Sequence, residues 1–343
     1  MRAKLRRAIA AATALAVAMP YPASAGPTLL FDASDGMVLY AEDADNQWHP
    51  ASLTKIMTTY LAFEAIKEGK LTLQSKIGCS ELAYNQPPSK VGLPVGAEMT
   101  VETALQAVII KSANDVSVML AEAVAGSHDA FVERMNATAA RLGMARTKFV
   151  NANGLPAPEQ VTTARDLAKL ATAVVRDFPQ YAHMWSMLDM RVGKRRLRTH
   201  NGLLNNYEGA DGLKTGFICD SGFNIVASAT REGRKLVAVV LGEPTGRERS
   251  LRAASLLEHG FQTHAWKALF PVVTLDTLPV GEDAKGPVTI RKSVISYVCG
   301  TARKRVAKSR KGKKKGSETV AKGSVKKKVP SKQKAAATGS KAQ

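Results

Sequence analysis

Residues 27–41, PTLLFDASDGMVLYA, place two short apolar runs around Ser34-Asp35-Gly36, and Asp-Gly between apolar runs signals a hairpin. From Pro50 to about Ala171 the apolar period becomes helical. In SLTKIMTTYLAFEAIKEG, Leu53, Ile56, Met57, Tyr60, Leu61 and Phe63 recur at i, i+3, i+4 spacing, and Gly69 ends the run. TVETALQAVIIKS predicts a helix with Thr100 as N-cap, although its capping box is imperfect, since the acid is Glu102 and Thr103 stands three residues on. DVSVMLAEAVAG and HDAFVERMNATAARLG read as further helices, the second closed by Gly143. In TARDLAKLATAVVRD, Thr163 with Asp166 three residues later marks another N-terminus. The pattern then alternates: GLKTGFI, FNIVASATRE and RKLVAVVLGE read as three consecutive strands, with Arg231-Glu232-Gly233 turning between the last two. GRERSLRAASLLEHGFQTHAW is a closing amphipathic helix. Strands at both ends of a helical middle predict an α+β fold, in which one antiparallel sheet is flanked by helices and accompanied by a helical subdomain.

Composition adds an address to this outline. The first 25 residues open with Arg2, Lys4, Arg6 and Arg7, continue as an apolar run from Ala8 to Met19 and end in Ala23-Ser24-Ala25. That is the form of a secretory signal peptide cleaved after Ala25, because the run is shorter than the roughly 20 residues that span a bilayer. The expected mature protein is exported, to the periplasm or cell envelope. Of the 343 residues, 45% are hydrophobic, enough for a substantial core.

Residues 303–343 hold 16 Lys or Arg and one acid, Glu318, so most of the formal +20 lies there. Such a stretch cannot offset its ordering entropy by apolar burial and is expected to be disordered. It suits contact with an anionic membrane or wall polymer, or simple solubilisation, and export argues against nucleic acid as a partner. Between the two, residues 266–302 have uncertain structure, with strand-like runs in VVTLDTLPV and GPVTIRKSVISYV. The expected organisation is therefore signal peptide 1–25, a main domain 26–265, a short region 266–302 and a tail 303–343. The spacings of Cys79, Cys219 and Cys299 match no metal site, and the six histidines lack ligand spacing. Neither a metal nor a cofactor is expected.

Three short motifs carry the candidate chemistry. Ser52-x-x-Lys55 opens the first long helix, where residues three apart share a face and the amine can reach the hydroxyl. Ser112-Ala113-Asn114 falls between two apolar helices, and Lys214-Thr215-Gly216 lies on a predicted strand. An ordinary lysine, with a pKa near 10.4, is a poor base at neutral pH, but burial and a second cation such as Lys214 would favour its neutral form. Each motif alone is common, and Ser112 or Asn114 alone would suit a helix N-cap.

In their order and surroundings the motifs are more specific. ASLTKIMT, KSANDVSVMLAE, MNATAARLGM, DGLKTGF and GFNIVASATREGRKLVAVVLG resemble serine-type D-alanyl-D-alanine carboxypeptidases of the low-molecular-weight penicillin-binding type, over roughly residues 27–265. The resemblance implies a β-lactamase/penicillin-binding transpeptidase-like fold. It implies Ser52 as nucleophile, Lys55 as its base and Ser112 as a proton relay to the departing amine. Asn114 would hold the lysine and the substrate backbone, while Lys214, Thr215 and Gly216 would take the terminal carboxylate beside a strand-like peptide. The backbone amides of Ser52 and Phe217 would form the oxyanion hole. Substrates would be peptidoglycan stem pentapeptides, and β-lactams would inhibit by acylating Ser52.

Two local departures stand out. Ile218 occupies a place where the family often has Thr, and the neighbouring Cys219 is either a small buried residue or a thiol whose oxidation or capping would slow acylation. The tail also has no apolar face with which to enter a membrane interface. Two other readings differ in kind. A class A-like β-lactamase would need an E-x-x-L-N string to activate water, and between Asn114 and Lys214 only Glu159, in another context, is comparable. A non-catalytic cell-wall-binding protein would have no need for the three motifs together.

Overall fold

The computed structural model describes residues 26–294 and Cys299. The expected signal peptide and Lys-rich tail lie outside the described residues. The main sheet has five antiparallel strands: β1 (Thr28–Asp32), β2 (Val38–Glu42), β3 (Ala210–Ile218), β4 (Gly222–Arg231) and β5 (Arg234–Glu243), in the order β2-β1-β5-β4-β3. The N-terminal hairpin thus joins the C-terminal meander through β1 and β5, with Leu29 opposite Val239.

The unbroken apolar run in β5 is explained by burial on both faces. Val237, Val239 and Leu241 point into the larger core, whereas Leu236, Ala238 and Val240 point into a second core under the last helix. Five longer helices complete the body: α1 (Thr54–Lys67), α2 (Asn114–Ala125), α3 (His128–Arg141), α4 (Ala164–Asp177) and α5 (Gly246–Lys267). Side-chain caps start several of them. Thr163 Oγ1 accepts from the Asp166 amide at 3.0 Å, and Thr245 caps α5 while donating to Glu248 Oε2 at 2.8 Å. α5 covers one face of the sheet. α4 packs on the other face, α1 packs on α4, and α2 and α3 lie beyond α1. Among the described residues no helix is long and apolar enough to cross a membrane.

The structure departs from the sequence pattern in three places. α1 is buried nearly all round, not along one stripe, because neighbours enclose it on every side. Its polar positions remain tolerable because Thr58 Oγ1 donates to the Ala152 carbonyl at 2.6 Å and Thr54 Oγ1 accepts from Gln160 at 3.0 Å. Thr100 does cap a helix, but Val101–Gln106 gives way to a π-helical turn, Ala107–Lys111, which delivers Ser112 in the left-handed conformation. The strand-like runs after Phe270 form no strand among the described residues. Thr274 makes one isolated bridge to Met37, and the amides of Thr277 and Leu278 turn back to the Thr274 carbonyl. Arg291–Val294 is a single helical turn.

A buried ion pair holds this last segment. Arg165 on α4 pairs with Asp45 through bonds of 2.6 and 2.8 Å, and its remaining donors reach the carbonyls of Leu275, Leu278 and Pro279. Asp45 also accepts from the Gly281 amide at 3.1 Å. Removing the carboxylate would leave a buried guanidinium unpaired. Asp45→Ala is therefore expected to lose about 3–5 kcal/mol of stability by urea denaturation, and to open residues 274–285 to limited proteolysis.

Candidate active site

Ser52 lies in a 3-10 turn, Ala51–Leu53, that leads directly into α1, and Ala51 holds a left-handed φ of 48°. Gly154 permits that turn. It has φ +79°, and a Cβ there would stand 1.8 Å from the Ala51 carbonyl oxygen. One helical turn on, the fully buried Lys55 places Nζ 3.0 Å from Ser52 Oγ, 2.8 Å from Asn114 Oδ1 and 2.5 Å from the Asn153 carbonyl oxygen. The Asn114 amide is oriented by its Nδ2, which donates to the Pro87 carbonyl at 2.9 Å. Burial lowers the Lys55 pKa well below the ordinary lysine value, the nearby Lys214 charge lowers it further, and Asp115 opposes both.

These contacts decide what the amine can do. Two of its three partners, the Asn114 and Asn153 oxygens, can only accept hydrogen bonds. A neutral amine has two N–H groups, which those oxygens take. Its lone pair is then directed at the one partner able to donate, the Ser52 hydroxyl. The arrangement is that of a base aimed at a nucleophile.

Ser112 is buried, has φ 59°, and its Oγ has no hydrogen-bond partner. Asn114 opens α2 beside it, and the Asn114 amide donates to the Ser89 carbonyl at 2.7 Å. The Asp115 carboxylate accepts from the amides of Val91 and Gly92 at 3.0 and 2.7 Å, which fixes the 87–92 segment against α2.

The opposite wall is β3, an edge strand of the sheet. Gly216 packs so closely on the Ser52 turn that a Cβ would lie 2.9 Å from the Pro50 carbonyl and 3.1 Å from the Ser52 amide nitrogen. Thr215 is buried, and Phe217 rests on Phe223 with ring centroids 4.3 Å apart. Lys214 is buried as well, and desolvation, followed by the Arg249 charge, lowers its pKa to about 7.

Of the eight residues expected from sequence, Ser52, Lys55 and Asn114 are joined by hydrogen bonds, Gly216 packs on the Ser52 turn, and the Lys214 charge acts on Lys55. Others emerge only in three dimensions. The Asn153 carbonyl acts through backbone and so has no side-chain signal. Arg249, buried on α5, has an unpartnered Nε, and burial lowers its pKa to about 10. Its Nη2 donates to the His200 carbonyl at 3.4 Å. Desolvation, followed by the charges of Lys214 and Lys111, pushes His200 down to about 4.

The thiol reading of Cys219 is corrected. Cys219 is disulfide-bonded and offers no thiol to cap or oxidise, whereas Cys79 is free and buried. Glu159, the nearest thing to a β-lactamase acid, is an exposed side chain paired with Lys148 at 2.5 Å.

Comparison with known proteins agrees with this geometry. Residues 13–245 match the family model described as D-alanyl-D-alanine carboxypeptidase. The chain is 37% identical over 238 residues to the D-alanyl-D-alanine carboxypeptidase DacA of Haemophilus influenzae, covering 68% of this chain and 61% of the relative. It is 38% identical over 241 residues to DacC of Escherichia coli, covering 68% and 60%. The match therefore spans about 60% of the length of these relatives. Among solved structures, penicillin binding protein 5 from Haemophilus influenzae is 34% identical with a TM-score of 0.67, covering 71% of this chain and 72% of that one. Penicillin binding protein 6B from Escherichia coli has the same identity and TM-score, covering 71% and 79%. A family match across more than half the chain means that this protein belongs to the D-alanyl-D-alanine carboxypeptidase family.

Proposed function

We propose that the protein removes the terminal D-alanine from peptidoglycan stem pentapeptides through an acyl-enzyme on Ser52. The observation that carries this reading is the buried Lys55 amine, 3.0 Å from Ser52 Oγ, with its other two contacts to acceptors. Lys55 takes the Ser52 proton as Oγ attacks the penultimate D-alanine carbonyl. The Ser52 and Phe217 amides receive the oxyanion, and Ser112 passes the proton to the departing amine. Water then releases the shortened peptide. The substrate lies along β3 as an added strand. Its terminal carboxylate meets Lys214 and the Thr215 hydroxyl, with Arg249 as the second cation.

β-Lactams acylate the same serine in this reading. A 30% identical structure with a TM-score of 0.63, penicillin-binding protein D2 from Listeria monocytogenes, was solved in a cefotaxime-bound form, which supports the inference for this chain. The position of Glu159 favours a carboxypeptidase over a β-lactamase, and the intact Lys55 geometry favours an enzyme over a passive wall binder. Export with cleavage after Ala25, and contact of the basic tail with anionic envelope polymers, belong to the same proposal and rest on sequence composition.

Ser52→Ala is expected to lower D-alanine release by more than about a thousandfold, as loss of a nucleophile that works in concert with its base does. In intact-protein mass spectrometry the wild type should gain one penicilloyl group from benzylpenicillin and the variant none. Unchanged turnover in Ser52→Ala would overturn the mechanism.

The pH profile tests the two lysines together. kcat/KM reports the free enzyme, which needs Lys55 neutral and Lys214 protonated. Activity should rise with pH along a limb set by Lys55, placed well below the ordinary lysine value, and fall as Lys214 loses its proton above about 7. Arginine stays protonated throughout this range, so Lys214→Arg is expected to retain measurable kcat/KM and to abolish the alkaline fall. A fall that persists unchanged in the variant would remove Lys214 from the assignment.

A further inference from the structure

We infer that the arginine-rich hairpin formed by Asp189–Val192 and Arg195–Arg198 is a collecting surface for acidic peptides that end in a free carboxylate. The inference rests on the carboxypeptidase reading above and adds to it a means of substrate capture. The sequence of the hairpin, DMRVGKRRLR, sets Arg191, Lys194, Arg195, Arg196 and Arg198 against one acid, Asp189.

The register sorts these charges. Met190 and Leu197 pair across the hairpin and are buried. Arg191 and Arg196 form the next pair, so they lie on the opposite, exposed face, which Asp189 and Arg198 share. Lys194 is exposed at the turn. Arg195 falls on the inner face, where its Nη1 donates to the Val91 carbonyl at 2.6 Å. Like charges directly opposite each other weaken a strand pair. Among the described residues, the outward side chains make one ion pair, Arg196 with Asp189 at 2.5 Å. That bond holds the Asp189 carboxyl below the usual carboxylate range, and the charges of Arg196, Arg198 and Arg191 add to it. Three guanidiniums thus share one carboxylate, and the excess positive charge faces outward, where an external anion would offset it.

The hairpin stands at the Lys214 end of the site. It packs on the π-helical turn that ends at Ser112. The Arg195 bond reaches the 87–92 segment, whose Pro87 carbonyl orients the Asn114 amide. From Arg198 the chain runs through His200, whose carbonyl accepts from Arg249 Nη2 at 3.4 Å, to Asn201, whose Nδ2 donates to the Gly212 carbonyl on β3 at 3.4 Å. Lys214 and Arg249 are the cations proposed above for the terminal carboxylate. The hairpin therefore flanks the end at which that carboxylate arrives and from which D-alanine leaves. An exposed rim of one sign raises the local concentration of oppositely charged substrate, and salt weakens the effect.

The test measures D-alanine release from a soluble stem pentapeptide with free carboxylates, at low and at high salt. The charge variant combines Arg191→Gln, Lys194→Gln and Arg198→Gln, which leaves the bonds of Arg195 and Arg196 in place. At about 10 mM salt, where charges act over about 30 Å, its kcat/KM is expected to fall roughly tenfold below wild type, with kcat unchanged. At about 1 M salt, where that range shrinks to about 3 Å, the two proteins should converge. A second variant, Arg191→Lys with Arg198→Lys, keeps the charge and should match wild type at both salt concentrations. No loss in the charge variant, a loss of equal size at both salt concentrations, a loss confined to kcat, or a lysine variant that falls with the glutamine one would overturn the role of the hairpin and leave the carboxypeptidase reading in place. No D-alanine release by the wild type at either salt concentration would overturn that reading, and the inference with it.

Discussion

The site depends on keeping one amine uncharged where an ammonium would be poorly solvated. Lys55 has no exposure to water, and the partners that surround it total one hydroxyl and two carbonyl oxygens. Asp115 is the carboxylate that acts on it, and that group is committed to the amides of Val91 and Gly92. Lys214 on the facing strand adds a second positive charge. Desolvation and like charge push in the same direction, and the opposing carboxylate is turned elsewhere. Lys214 is itself held near neutrality by burial and by Arg249, so the cleft is a set of cations that weaken one another's protonation. Such a set destabilises the folded protein on its own and is relieved when an anion enters, which is the feature the proposed terminal-carboxylate contact uses.

Much of the architecture can be read as support for that arrangement. The three groups around the Lys55 amine come from the turn before α1, the start of α2 and the loop at 153, so no single element could build the site. Gly154 lets the loop approach the Ala51 turn, and Gly216 lets the sheet edge approach the same turn from the other side. Both glycines mark places where two backbones meet with no room for a side chain between them. The π-helical turn before Ser112 has a similar effect, because it leaves Ser112 left-handed and its hydroxyl without a partner inside the protein. A buried hydroxyl in that state is costly unless a ligand completes it.

The strands, the long helices and the three motifs were legible in the sequence because each rests on local signals: alternation in β3 to β5, N-caps at Thr100 and Thr163, a Ser and a Lys one turn apart. The all-round burial of α1 was not, since its apolar stripe looks the same whether one side or every side is covered. Arg249 was hidden among the charges of an amphipathic helix, where nothing distinguishes the one guanidinium turned inward. The Asn153 carbonyl had no signal, being backbone. The segment after Phe270 looked strand-like because Val and Thr recur there, yet Pro279 and Pro287 remove ladder donors and Arg165 takes carbonyls that a strand partner would otherwise bond. Cys219 shows the limit of reading one residue at a time, because a thiol beside an active site and a half-cystine there are the same letter.

The same geometry bears on the second half of the proposed reaction. Hydrolysis of the acyl-enzyme needs a base for water, and Glu159, an acid outside the E-x-x-L-N context, is exposed and paired with Lys148. In the proposed mechanism that base is Lys55 again. Once Ser112 has passed its proton to the departing D-alanine, the amine is neutral and its lone pair faces the ester oxygen of Ser52, where the incoming water must lose a proton. A single base can serve both half-reactions provided the leaving group departs and makes room for that water. With a β-lactam, the amine released on ring opening stays tethered to the acyl group and occupies the approach that water needs. In this proposal, slow release of a β-lactam adduct and turnover of the peptide are two consequences of one shared base.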